Sequence, residues 1–288
     1  NKPMLKYKLE RGAKMIEIPE CITIAKQMNE TIAGKAIKKV IANHSPHKFA
    51  FYFGEPDTYS KHLVGKRVDT ITPLAGYVEV SLGTTIMLFG DGVNIRYFPN
   101  NDSLPPKHQL LVEFDDLSVM VCTVQMYGGM WVFTDGENDN PYYIAAKQAI
   151  SPLSDKFDKI YFMKLLNSVS GTSSVKAFLA TEQRIPGLGN GVLQDILFNA
   201  RINPKSKIKT LSDVQIDNLF ESVKYTLRSM AILGGRDTEK DFFGNFGGYA
   251  TKLSNKTYKN PCPVCGREII RQPYLGGSIY FCPTCQTV

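Results

Sequence analysis

The chain has 288 residues, 43% hydrophobic and 21% charged, the balance of an ordinary globular protein with room for two moderate domains. A formal charge of +7 and a pI of about 9.0 favour a polyanionic partner. No apolar run reaches the roughly 18 residues of a membrane span, and the N-terminal NKPMLKYKLERGAK lacks the apolar core and cleavage site of a secretory signal, so cytoplasm is the expected location.

The stretch AKMIEIPE leads into Ile18, Cys21, Ile22, Ala25, Met28 and Ile32, which recur at helical spacing. Pro19 suits a first turn, where its missing N–H costs nothing, and Gly34 closes the segment, so a helix is predicted over 16–32. From 36 to about 133 short β-branched and aromatic runs (KKVIAN, KFAFYFG, GYVEVSL, TTIMLFG, HQLLVEF, LSVMVCTV, MWVF) alternate with Gly, Pro, Asn and Asp clusters. DDLS reads as a hairpin turn, and seven or more strands at this spacing predict an antiparallel sandwich or barrel. Beyond the NDNPYY loop come four helical patterns: FDKIYFMKLLNSV, SSVKAFLATEQ, GVLQDILFNARI and LSDVQIDNLFESVKYTLRSMAIL. The Gly-rich GGRDTEKDFFGNFGGY (234–249) reads as an exposed linker into the tail, or as a contact loop.

The tail from 252 is too short to fold on an apolar core. It holds Cys262-Pro-Val-Cys265 and, sixteen residues on, Cys282-Pro-Thr-Cys285. Two such knuckles on a short hairpin bring four thiolates to the tetrahedron of structural zinc, and a closed shell leaves no catalytic position. A redox dithiol and an iron–sulfur site are the competing readings. Without an export signal disulfides are disfavoured, and Cys21 and Cys122 sit in apolar patterns as buried bystanders.

In TEQRIPGLGNGVLQDILFNARINP a helix ends near Gln183 and Asn190 is placed to cap the next one. Such a helix start exposes backbone N–H groups, a seat for phosphate, though alone it is more often a plain connection.

In order along the chain, PE at a helix start, the GLGN turn and a four-cysteine finger ending CPTCQ resemble the formamidopyrimidine-DNA glycosylase and endonuclease VIII family over residues 15–288. The resemblance implies an α+β multidomain fold. Residues 1–14 are an extension, 15–145 a β-sandwich domain with a leading helix, 146–251 a helix–two-turns–helix DNA-binding domain and 252–288 a zinc-finger hairpin with one structural zinc. It also implies base excision and abasic-site cleavage on double-stranded, damaged or distorted DNA by a monomer, nucleoid-associated if bacterial. Gly187, Gly189, Asn190 and an aromatic wedge at Tyr127 fall on DNA-contacting positions.

The family's nucleophile is the α-amine of an N-terminal proline, which forms a Schiff base with the sugar, and the next glutamate manages protons. MIEIPE matches that start with Glu17 on the catalytic glutamate and Glu20 on the second acid, but the proline position is Ile16. Further departures are Gly76 for a DNA-contacting lysine before Tyr77-Val78, Gly277 for the finger's phosphate-gripping arginine, and Gly90-Asp91-Gly92 for a gap-filling side chain. Gln125 or Met126 stands for an arginine that pairs with the orphaned base. These changes point to a DNA-binding descendant with weakened or lost chemistry. The alternatives are an active enzyme that uses a freed Ile16 amine or a lysine such as Lys14, and a protein-interaction scaffold, against which the positive charge counts.

Overall fold

The computed structural model describes residues 16–181 and 183–287, so Lys14, Met15 and the extension over 1–14 lie outside the described residues. The described chain forms two compact units, residues 16–149 with 228–250, and residues 150–227 with 251–287.

The first unit opens with helix α1 (Ile18–Ile32), which has Pro19 in its first turn and Glu17 at the extended N-cap position. It buries Cys21, Ile24, Ala25, Met28 and Ile32. The apolar stripe runs through Ile24, and the predicted Ile22 is only half-buried. Strands β1 (Ile37–Ala42) and β2 (Ala50–Phe51) follow, with helix α2 (Tyr59–Leu63) after them. Next come β3 (Ile71–Leu74), β4 (Tyr77–Leu82), β5 (Thr85–Phe98), β6 (Leu110–Phe114) and β7 (Val119–Thr134).

These strands make one seven-stranded sheet in the order β1-β6-β7-β5-β4-β3, antiparallel except where β2 runs parallel to β7. TTIMLFG runs on through NIRYF as one strand, and LSVMVCTV and MWVF, predicted apart, are also one. The β5–β7 register shifts between Asp91 and Val93. A bulge there bends both long strands, so the sheet's two halves face one core. That core takes Val78, Val80 and Met130 from one half, and Ile95, Val112 and Cys122 from the other, with α1 packed in. The NDNPYY segment is a loop only as far as Asn140, which caps helix α3 (Pro141–Gln148), with Pro141 at its first position.

In the second unit Asp158 caps α4 (Lys159–Asn167) by accepting the Tyr161 N–H at 2.7 Å. The second of the four helical patterns, SSVKAFLATEQ, forms a short π-type turn, Ala177–Thr181, and it is followed by α5 (Asn190–Asn199). Within α6 (Asp213–Ile232) the chain passes into the first unit. Phe157, Phe162, Phe178 and Phe220 stack in this unit's core, with ring centroids 5.5–6.4 Å apart. Strands β8 (Ile270–Tyr274) and β9 (Gly277–Phe281) form the predicted tail hairpin. No described helix is long and apolar enough to cross a membrane.

Candidate functional site

Ile16 is 6% exposed, its side chain belongs to the sheet core, and its backbone N–H donates to the Asp91 carbonyl at 2.8 Å. Beside it lies an ion cluster that sequence reasoning missed. The Arg236 guanidinium donates from Nε to Glu20 Oε1 and from Nη2 to Glu20 Oε2, both at 2.9 Å, and its backbone N–H reaches Glu20 Oε1 at 3.1 Å. Nη1 stands 3.5 Å from Glu17 Oε2. All three residues are 6% exposed or less. Burial alone would lower the Arg236 pKa, but the Glu17 and Glu20 carboxylates outweigh it and hold it above its ordinary value. The two predicted acids are therefore together, joined through an arginine from the 234–249 segment.

Tyr127 is half-buried, with its hydroxyl turned inward and no hydrogen-bond partner among the described residues. Burial, then the charges of Asp91 and Glu17, push its pKa up to about 12. Gln125 and Met126, next to it, are exposed. Gly90 and Asp91 lie within β5, paired with Gly129 and Gly128, so no free loop exists there. A Cβ at Gly90 would come within 2.5 Å of the Tyr77 ring, so that ring occupies the space a larger residue 90 would need.

Burial pushes the Asp91 carboxyl up to about 6 from an ordinary 3.8, so the fold disfavours its ionised form. That penalty is absent below about pH 4 and complete above about pH 6. An Asp91→Asn protein, whose side chain also tolerates the φ of 57°, should therefore gain stability over the wild type as pH rises through this window. Urea unfolding from pH 4 to 8 measures the difference, and parallel profiles would remove Asp91 from this account.

The 234–249 segment is fastened, not a linker. Arg236 and Phe242 are 3% and 0% exposed, and the Gln27 amide pairs with Asp241 Oδ2 at 2.8 Å and the Phe242 N–H at 3.0 Å. Its base lines a small cavity with Ile16, Glu20, Gly92, Asn94, Arg96 and Lys240 on its walls.

In the second unit Gly187 takes a φ of +78°, which a side chain would strain. The cap position of α5 is Gly189, and Asn190 is the helix's first residue, with no capping bond. Its Nδ2 instead donates to the Ser278 carbonyl of β9 at 2.9 Å, and its buried Oδ1 has no partner among the described residues. A Cβ at Gly277 would lie 3.2 Å from the Asn190 amide, so any side chain there presses on Asn190. Gln194 adds a further tie, accepting the Tyr280 N–H at 3.0 Å. Lys176 is 2% exposed; its Nζ donates to the Tyr274 carbonyl at 2.6 Å, and burial pushes its pKa down to about 8.

The four cysteine Sγ atoms of Cys262, Cys265, Cys282 and Cys285 lie within 4.8 Å of one another. Two of the separations are 3.9 and 3.4 Å, against about 3.8 Å for sulfurs set tetrahedrally at 2.3 Å from zinc. The Cys262 N–H bonds to the Arg267 carbonyl at 2.7 Å and Gly266 takes a φ of 73°, which shapes the first knuckle. In the second, the Cys285 N–H points at the Cys282 sulfur at 3.4 Å. An all-sulfur shell with amide support fits one structural zinc, which supplies folding energy and no chemistry. Cys21 and Cys122 are fully buried elsewhere.

The family profile described as the formamidopyrimidine-DNA glycosylase H2TH domain matches residues 149–241. Formamidopyrimidine-DNA glycosylases of Rippkaea orientalis and Cytobacillus firmus are 28% and 25% identical, over 94% of this chain and all of each relative. The chain belongs to the formamidopyrimidine-DNA glycosylase and endonuclease VIII family. It is thus a member of a base-excision-repair glycosylase family with a four-cysteine finger. Two crystal structures share the fold, each with a TM-score of 0.78 over 94% of this chain. The Fpg protein of Thermus thermophilus is 20% identical, with 98% of its own chain covered. The Lactococcus lactis Fpg, in complex with DNA carrying N7-benzyl-Fapy-dG, is 24% identical and wholly covered.

Proposed function

We propose that the chain is a DNA-binding protein of the base-excision-repair type that recognises damaged or distorted DNA, with glycosylase and abasic-site lyase chemistry weakened or lost. The observation that carries this reading is position 16. The family's reactive amine is replaced there by a peptide nitrogen bonded to the Asp91 carbonyl and a side chain sunk in the core. Glu17 and Glu20, the acids of the matching motif, spend their charge on Arg236.

Support for DNA binding comes from the net charge of +7, from the Gly187–Asn190 turn at the N-terminal end of α5, where the helix dipole favours an anion, and from the finger tied to Asn190. In this reading Gly187, Gly189 and Asn190 contact phosphate, and Tyr127 lies at the base-excision side near Glu17. The Lactococcus relative was solved with lesion-bearing DNA, and damaged duplex is the corresponding partner here.

A second reading keeps the chemistry through a lysine. Borohydride trapping on a duplex with one abasic site, with the same samples run on a native gel, separates the two. Retardation without a covalent adduct is expected. An adduct, mapped by mass spectrometry to Ile16 or a lysine, would overturn the loss of chemistry. No retardation would overturn DNA binding.

A further inference from the structure

The bulge that joins the two halves of the sheet carries a carboxyl without a counter-ion. Asp91 is half-buried, and its backbone is fixed from two sides. Its carbonyl accepts the Ile16 N–H at 2.8 Å, and across the sheet the residue pairs with Gly128. Its φ of 57° is one that aspartate adopts more readily than most residues. The position is therefore built to hold this side chain beside Ile16.

The side chains that sense Asp91 are acidic. After burial itself, the Asp91 charge raises the pKa of Tyr77 on β4 and of Tyr127 on β7. Tyr142 of α3 adds to the effect on Tyr77, and Glu17, ahead of α1, adds to that on Tyr127. The Arg236 guanidinium beside Glu17 is taken up by Glu17 and Glu20. No hydrogen bond or ion pair among the described residues reaches the Asp91 carboxyl, and burial alone pushes its pKa up to about 6. The Tyr127 hydroxyl is equally without a partner among them. Protonated, Asp91 is a neutral group among phenols; ionised, it is an uncompensated charge.

Such a carboxyl responds to any further negative charge. A duplex laid over the Ile16 end of the unit would strip water from Asp91 and bring phosphates near it. Both effects favour the protonated form. By linkage, the proton then raises affinity for DNA by the factor by which DNA raises affinity for the proton.

We propose that Asp91 couples DNA binding to a proton: the duplex seats on the protonated carboxyl and is held off by the carboxylate. This inference rests on the DNA-binding reading above and adds a regulation of the same surface. In mild acid the free protein already carries the proton, and binding is at full strength. As pH rises past the titration of the free carboxyl, the complex must take up a proton, and affinity falls until the bound carboxyl ionises too.

The test uses the full chain and a duplex with one tetrahydrofuran abasic-site analogue. Fluorescence anisotropy is read at constant ionic strength from pH 5.5 to 8.5. Wild-type affinity is expected to fall about fivefold between pH 6 and pH 8, the ratio given by a proton held about tenfold more tightly in the complex. In Asp91→Asn, which keeps the size and the φ but cannot ionise, that fall should be absent. Histidines also titrate in this range, so the difference between the two profiles is the measure. Calorimetry at pH 6.5 in buffers of different ionisation heat should show the wild type taking up about half a proton more than Asp91→Asn on binding. Thermal unfolding at each pH separates loss of binding from loss of fold. Parallel profiles with equal proton uptake, or a wild-type affinity that rises with pH relative to the variant, would overturn this inference alone. Failure of the wild type to bind the duplex at any of these pH values would overturn the DNA-binding reading with it.

Discussion

An Arg236→Met protein is expected to lose about 3–5 kcal/mol of stability, the cost of stranding buried carboxylates without their counter-ion. Glu17 and Glu20 are 4% and 6% exposed, so neither can turn to water without opening the unit. At about 2–4 °C per kcal/mol for a unit of this size, the melting temperature should fall by roughly 6–20 °C. The pairing itself is tested by a double-mutant cycle. Glu20→Gln alone should also destabilise, because the guanidinium then loses its two 2.9 Å bonds to a carboxylate and keeps Glu17 at 3.5 Å and the charge of Glu239. The Arg236→Met/Glu20→Gln double variant should lose less than the sum of the two. A loss below about 1 kcal/mol in Arg236→Met would mean that water reaches these carboxylates and that the cluster is not the clasp described.

Removal of zinc is expected to unfold residues 252–287. Structural zinc supplies an apparent 10–16 kcal/mol in finger peptides, and the finger's own apolar cluster is small: Leu253, Cys262, Ile269, Tyr280 and Cys282 around Phe198 of α5. The damage should reach beyond the finger. Asp195 accepts the Lys252 and Leu253 N–H groups at 2.9 and 2.8 Å, and the Gln286 amide bonds to the Ile202 carbonyl at 3.0 Å. With Asn190 and Gln194 also bonded to β9, α5 should lose protection together with the tail. Hydrogen exchange after treatment with a strong chelator, or in Cys282→Ser, should show fast amides over both 190–206 and 252–287 and unchanged protection in the sheet core. Stoichiometric metal analysis gives the ion. Full protection in a metal-free chain would refute the assignment.

What the sequence disclosed is what is local in it. The leading helix, the GLGN turn and the cysteine knuckles each lie within a few residues and carry their own spacing rule. The long strands were read in pieces because Gly90-Asp91-Gly92 and Tyr127-Gly128-Gly129 look like turns. Gly90 and Gly129 serve instead to admit the rings of Tyr77 and Trp131 against the backbone, a packing need with no local pattern. The ITPL strand, β3, carries a proline at its edge and was missed for that reason. Asn190 was read as a cap on composition alone, and its amide is drawn off by a carbonyl 88 residues away. Arg236 was visible only as one charge in an alternating stretch, because its partners Glu17 and Glu20 lie more than 200 positions earlier. The acids could be located by motif, but their neutralisation could not.

That same distance bears on how the protein is made. Translation delivers α1 and the whole sheet early, yet the clasp on Glu20 arrives only when Arg236 leaves the ribosome, 216 residues later. Until then the Glu20 carboxylate lacks the guanidinium that closes on it, and Tyr97 lacks the Phe242 ring that covers it. Domains ordinarily complete in the order of synthesis. Here the first-made unit must wait in an unfinished form while the helices between are produced, and it closes only as the cysteine-bearing end emerges.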